Sequence, residues 1–225
     1  MSFTFNGVSS DAMGVVVERM PNRNVPSRRI AQQEVAGRNG NVLLMDKSFP
    51  NVEQTYEVYF AGATEGLPAV ARRVAEWLCS PTDYCTLWDS YDSSVFHEAI
   101  LMDGYDIENS LNKWGKASIT FSCKPQKFLT AGTSSTTSTT LTNPTPFEAR
   151  PLITVTGSGT ITIGGKTITV LESVSNFKID CETMEADDNT KIYCLDFPVL
   201  TAGTNTVTKA TTITSFKIVP RWWTL

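Results

Sequence analysis

The sequence predicts a mainly β fold in two parts: an α+β domain over residues 1–130 with one main helix, and an antiparallel β-sandwich over residues 147–225. Three features predict it. Apolar and polar residues alternate with period two along much of the chain, glycine-containing turns punctuate the alternation, and one stretch keeps the period of a helix.

Phe3 and Phe5 fall on one face of a first strand, because strand side chains alternate sides, and Asn6-Gly7 supplies the positive φ angles of a hairpin turn. Gly37-Arg38-Asn39-Gly40 repeats that turn chemistry between Ile30 and Val35 on one side and the apolar run Val42 to Met45 on the other. An extended hairpin is expected there. Tyr56, Val58 and Phe60 alternate with Thr55, Glu57 and Tyr59 as in a half-buried strand. Pro68 suits the first turn of a helix, where its missing N–H costs little. Val70, Val74, Trp77 and Leu78 then recur on one face until Ser80-Pro81 ends the helix. At ~1.5 Å per residue it is about 20 Å long, with Arg72, Arg73 and Glu76 on its outer face. Ser94 to Ile100 reads as a strand, and Ala117, Ile119, Phe121 and Cys123 alternate with Ser118, Thr120 and Ser122 in another.

From Thr130 onward the chain is rich in Ser and Thr, then passes through Asn143-Pro144-Thr145-Pro146, with little to bury besides Leu141. That composition reads as a linker over residues 131–146, with a reach of roughly 20 Å, which would let the second half sit beside the first or swing away. Beyond it, Ile161 and Ile163 lead into Gly164-Gly165, and Ile168 and Val170 leave it, which is a two-residue hairpin signature. Ile153 to Val155, Phe177 to Cys181, Lys191 to Leu195 and Ile213 to Val219 are further strand candidates. Short strands without a helical period indicate a sandwich with a thin core.

A formal net charge of -4 and a pI near 5.1 argue against a nucleic-acid partner bound through a broad electrostatic surface. Nothing approaches the ~20 apolar residues needed to cross a bilayer, so a membrane partner is not expected either. The start Met1-Ser2-Phe3-Thr4 lacks the basic and apolar regions of a signal peptide, predicting a chain made and kept in the cytoplasm until released. Cys79, Cys85, Cys123, Cys181 and Cys194 are scattered and odd in number, which fits reduced, mostly buried thiols.

Candidates for chemistry are few. His97 is the one histidine, which weakens triad, dyad and zinc readings together, because each needs histidine with a partner at defined geometry. Asp83, Asp89, Asp92, Glu98 and Asp103 are close in sequence, as a carboxylate pair of a hydrolase would have to be, yet they fall among turn residues, where Asp is favoured for local hydrogen bonds. The run Glu182 to Asn189 is rich in oxygen ligands but lacks the spacing of a calcium loop, and a solvated hairpin tip is the better reading. Trp222-Trp223 would suit a sugar-stacking platform only if both rings shared a face. In a strand they do not, so one ring is expected in the core and the other against a domain or subunit. Gly157-Ser158-Gly159 and Gly164-Gly165 lie between strands with no helix amino terminus to receive a phosphate. No catalytic residue, cofactor or metal site is expected.

Several ordered segments together resemble the distal tail proteins of long-tailed phages with non-contractile tails (siphophages). The opening Phe3-Thr4-Phe5-Asn6-Gly7, the step Met13-Gly14-Val15 and the turn Gly37-Arg38-Asn39-Gly40 are similar to the family's start, with Asn39 where that family usually carries Asp. Ala71 to Leu78 resembles its helix, and Leu87-Trp88-Asp89-Ser90 and Gly115 to Pro125 resemble its following strands. Pro151 to Gly159, Ile179 to Glu182, Phe197 to Leu200 with Gly203-Thr204-Asn205, and Pro220-Arg221-Trp222-Trp223 resemble its second half. The resemblance implies a non-enzymatic virion protein whose first domain assembles into a hexameric ring at the tail tip, with a galectin-like sandwich at the periphery. It implies as partners other copies of the chain, the tail tube protein, the tail-associated (tail fibre) protein and, in many phages, receptor-binding proteins. It also implies that Phe3, Phe5, Val35, Gly37, Arg38 and Gly40 serve contacts between subunits. Two other readings are carried beside it: a carbohydrate-binding module aiding adhesion to the host surface, and a tail-borne hydrolase using Asp89 or Glu98.

Overall fold

In the computed structural model the chain is mainly β, with antiparallel sheets, and the described residues are 1–46, 48–61, 65–111 and 114–225, the side chains of 109–111 excepted. It divides into two compact units, one from Met1 to Lys127 with Leu225, the other from Phe128 to Thr224.

In the first unit, β1 (Phe3–Phe5) turns through Asn6 and Gly7, both at positive φ, into β2 (Val8–Ser9). β3 (Val15–Val17) follows, then β4 (Ile30–Gln33) and β5 (Val42–Met45), which among the described residues pair only with each other. Next come β6 (Val52–Ala61), α1 (Leu67–Cys79), β7 (Cys85–Asp89), β8 (Val95–Leu101), β9 (Glu108–Leu111) and β10 (Trp114–Leu129). The main sheet runs β2-β1-β7-β8-β10-β6-β3, with β9 on β10. β6 and β10 form its spine, in antiparallel register from Trp114 opposite Ala61 to Cys123 opposite Val52.

The expected helical stripe is the buried one: Leu67, Val70, Val74, Trp77 and Leu78 face a sheet surface made by Phe3, Phe5, Tyr56, Val58, Phe60, Ile119 and Phe121. The Phe3 ring lies 5.7 Å from that of Trp77 and nearly parallel to it, and the Trp77 indole N–H donates to Phe5 O at 3.1 Å. A buried indole whose one donor is satisfied contributes its full apolar area at no polar cost.

The second unit adds β11 (Thr140–Asn143), β12 (Leu152–Ile163), β13 (Lys166–Asp180), β14 (Glu185–Ala186), β15 (Ile192–Cys194), β16 (Gly203–Lys209), β17 (Ile213–Val219) and β18 (Trp223–Thr224). Gly164-Gly165 makes the expected tight turn between β12 and β13, with φ of 56° and 82°. These two long strands bend where their register shifts at Gly157 and Gly159. Before the bend β12 pairs with β17, and after it with β16. Ile153, Val155, Ile179 and Ile218 from one half pack with Ile161, Ile163, Ile168 and Val170 from the other in one apolar core, which makes the sandwich. Gly157 has φ 113°, and a Cβ there would run into Thr212 O, so the bend requires glycine.

Residues 131–146 differ from the linker expected on composition. Val207 N–H donates to Thr139 O at 2.8 Å, β11 pairs with β16, Thr136 bridges Ile218, and Leu141 and Asn143 are buried. Asn143 accepts from the N–H and hydroxyl of Thr145 and donates to Phe147 O and Leu200 O, so its buried amide is satisfied on every side. Threonine is a good strand former and one leucine per four residues is enough for an edge strand, a pattern that composition alone reads as low complexity.

Candidate assembly interface

The β4–β5 hairpin is the part of the first unit whose construction is hardest to explain in isolation. Its register is regular, Ile30 opposite Met45 and Gln33 opposite Val42, and its turn uses Gly37 and Gly40 at φ near 78° and 79° with Arg38 N–H donating to Val35 O. Asn41 donates to the Gln32 side chain across the ribbon at 3.2 Å. Yet both faces are open: Leu43, Leu44 and Met45 are 53%, 55% and 54% exposed, and Ile30 and Val35 are exposed too. A two-stranded ribbon has no second layer to bury its side chains against and is marginal alone in water. Exposed apolar side chains of this density, with unpaired strand edges, mark a surface built to be covered.

The root of this arm is held firmly. Glu18 N–H donates to Glu57 O, the Gln54 amide donates to Asn22 O, and the Asn24 amide contacts Glu53 O. Arg23 lies over the Tyr91 ring at 4.9 Å and Arg28 over Phe49 at 5.5 Å. Beyond the root, Asp46 turns the chain by accepting from Ser48 N–H and Oγ, which holds its carboxyl below the usual range. Arg29, Ile30, Ala31, Leu44, Met45 and Asp46 line an open groove on the ribbon, apolar in the middle with a cation and an anion at its margins.

Of the residues expected at subunit contacts, Val35, Gly37, Arg38 and Gly40 lie together at the exposed end of this arm. Phe3 and Phe5 do not. Both are 0% exposed, enclosed by Tyr56, Trp77 and Phe121, and are core residues. Period-two alternation had placed them on one face of a strand, but that face meets α1.

The residues considered for chemistry are held in local roles. His97 sits beside Leu87 in the β7–β8 pair. Burial, reinforced by the Lys127 charge, pushes its pKa down to about 4 despite a backbone hydrogen bond at Lys124, so the imidazole is neutral near pH 7. Its Nδ1 is buried without a hydrogen-bond partner. Asp89 accepts from Tyr91 N–H, Asp92 from Ser94 N–H and Oγ, and Glu98 pairs with Lys124. In the 182–189 run, Asp187 accepts from Lys178 N–H and Asn189 from Ala186 N–H, while the neighbouring Asp188 accepts from Thr190. Trp222 is buried in the sandwich core. Trp223 stacks on Phe147 at 4.4 Å and donates to Glu148 O, so its ring meets neighbours of its own unit.

No family model matches the chain, and no curated protein matches it in sequence. Among solved structures it is similar to SPP1 Dit, described as a paradigm of the hub adsorption apparatus in phages that infect Gram-positive bacteria. The TM-score is 0.66 over 96% of each chain, at 16% identity. The chain has the fold of that hub protein. The likeness extends over nearly the whole chain and agrees with the resemblance read from the ordered glycine, helix and strand segments.

Proposed function

We propose that this chain is a distal tail protein of a siphophage, a structural hub that performs no reaction. Copies of its first unit close into a hexameric ring continuing the tail tube, joined below to the tail-associated protein, and the ring carries the receptor-binding apparatus that meets the host. The observation that carries this reading is the whole-length likeness to a phage hub protein, both units in order, at TM-score 0.66. The uncovered arm supports it: cyclic assembly needs a heterologous contact, and a ribbon with open edges and open apolar faces is a surface suited to one. Assembly takes place in the host cytoplasm, and the finished protein resides at the tail tip of the particle.

Two measurements test the reading. Mass photometry of the purified chain, with and without its tail partners, is expected to give a species six times the 24.7 kDa chain. Immunogold labelling of intact particles is expected at the tail tip. Absence from mature particles would overturn the proposal. Binding of the chain to a glycan array, lost on removal of residues 147–225, would promote the adhesion module instead.

A further inference from the structure

We propose that Asn39, at the tip of the β4–β5 hairpin, is a self-modification site that converts to aspartate and isoaspartate without an enzyme. The sequence holds two Asn-Gly steps, Asn6-Gly7 and Asn39-Gly40. Glycine has no Cβ to shield its backbone nitrogen, so that nitrogen can come close to the side chain of the preceding asparagine.

In the reaction hydroxide takes the proton of the Gly40 N–H, and the nitrogen attacks Asn39 Cγ. The new bond joins that nitrogen to Cγ, the Cγ–Nδ2 bond breaks, and Nδ2 takes a proton from water and leaves as ammonia, closing a cyclic imide. Solvent water then adds to one of the imide carbonyls. Opening at Cγ leaves aspartate on an ordinary backbone, whereas opening at the main-chain carbonyl of Asn39 leaves isoaspartate. Overall one water is consumed and one ammonia released, and nothing is oxidised or reduced.

Conformation separates the two steps. Room does not, because a Cβ at either Gly7 or Gly40 would meet nothing within 4 Å. Asn6 is locked: Phe5 pairs with Val8 across the turn, Asn6 N–H donates to Thr86 O at 3.0 Å, and Asn6 and Gly7 have φ of 49° and 77°. A turn of this kind holds ψ of its first central residue near about +30°, which points the next nitrogen away from that residue's Cβ. Ring closure at Asn6 therefore requires the hairpin to open. Asn39 and Gly40 lie beyond the hydrogen bond from Arg38 N–H to Val35 O and before β5, both exposed, and neither makes a hydrogen bond among the described residues. The adjacent Asn41 is tied to the Gln32 side chain at 3.2 Å and is followed by β-branched Val42, which shields the attacking nitrogen. Turning Asn39 toward ring closure breaks nothing that holds the hairpin together.

The product alters the tip in two ways. A carboxylate next to Arg38 makes the chain one unit more negative than its formal -4, and isoaspartate lengthens the main chain between β4 and β5 by a methylene. A chain that waits free in solution accumulates this altered tip.

The test incubates the folded full-length chain in water enriched in heavy oxygen, at neutral and mildly alkaline pH, and maps the label by mass spectrometry after digestion in acid. Label is expected to enter at residue 39 about tenfold or more faster than at residue 6, since Asn6 must first break hairpin hydrogen bonds. Entry at residue 39 is expected to quicken as pH rises, because hydroxide takes the Gly40 proton. Equal rates at the two asparagines, or an Asn39 that stays unlabelled while the urea-unfolded chain reacts, would overturn the proposal. Isoelectric focusing gives a second readout: the aged chain is expected to gain an acidic band that is lost in Asn39→Gln, whose longer side chain closes the ring far more slowly. An acidic band of equal strength in that variant would reject the site.

Discussion

At the scale of single residues, His97 couples stability to pH in a direction that can be worked out. The unfolded chain binds a proton near pH 6.5, the folded chain only near pH 4, because burial and Lys127 oppose the charge. Between these values the unfolded state holds more protons, so the contribution of His97 is whole above pH 6.5 and is lost as pH falls toward 4. At ~1.4 kcal/mol per pKa unit, the full loss is about 3 kcal/mol. Urea midpoints of wild type and His97→Gln, compared at neutral pH and near pH 5, are expected to converge as pH falls; parallel declines would refute the coupling. Gly157 is the other residue with a sharp expectation. Its φ of 113° and the Thr212 carbonyl in the path of a Cβ predict that Gly157→Ala costs roughly 2–4 kcal/mol, read from chemical denaturation. A cost below about 0.5 kcal/mol would mean the bend does not depend on glycine.

At the scale of elements, the ion pair that closes the sandwich is a further test. Arg221 donates both guanidinium nitrogens to Asp180 at 2.7 and 2.8 Å from a backbone position at φ 58°. Burial raises the Asp180 pKa, but these hydrogen bonds and those from Glu182 and Thr183 outweigh it and leave the carboxyl below its ordinary range. A bidentate, partly buried pair of this kind is worth more than a surface pair, and Asp180→Asn is expected to lower stability by about 1–2 kcal/mol. An unchanged thermal midpoint would show the pair to be dispensable. The arm behaves oppositely: replacing residues 30–45 with a short glycine turn is expected to abolish assembly while leaving the thermal midpoint of the chain nearly unchanged, since those side chains bury little. The elements legible in the sequence were those with strong periodicity or special backbone. The α1 stripe was visible because four apolar residues, Val70, Val74, Trp77 and Leu78, share one face, and the arm because glycines at 37 and 40 leave few alternatives. β11 and β16 were not, because Leu141 and Val207 are their main apolar anchors and threonine serves strand and loop alike. Phe3 and Phe5 show a different limit: alternation tells that two residues share a face, but the partner of that face is set by α1, some seventy residues away in sequence.

At the scale of the whole molecule, the proposed assembly through the arm is expected to depend on concentration and salt. The arm carries Arg29, Arg38 and Asp46 beside its exposed apolar residues, so under the proposed ring reading raising ionic strength is expected to slow assembly more than it weakens contacts already made. Light-scattering kinetics across a salt series would check this, and rates independent of salt would count against charged flanks. One feature of the second unit reaches further. Its entry and exit lie side by side: Leu129 N–H donates to Trp222 O at 2.8 Å, and Arg221 N–H donates to Gly132 O at 3.0 Å. A module whose two ends meet at one point can be cut out and exchanged for another without stretching what remains. Exchange of this one cassette would change the second unit while leaving the first as it was, which under the proposed function is a route to a new host.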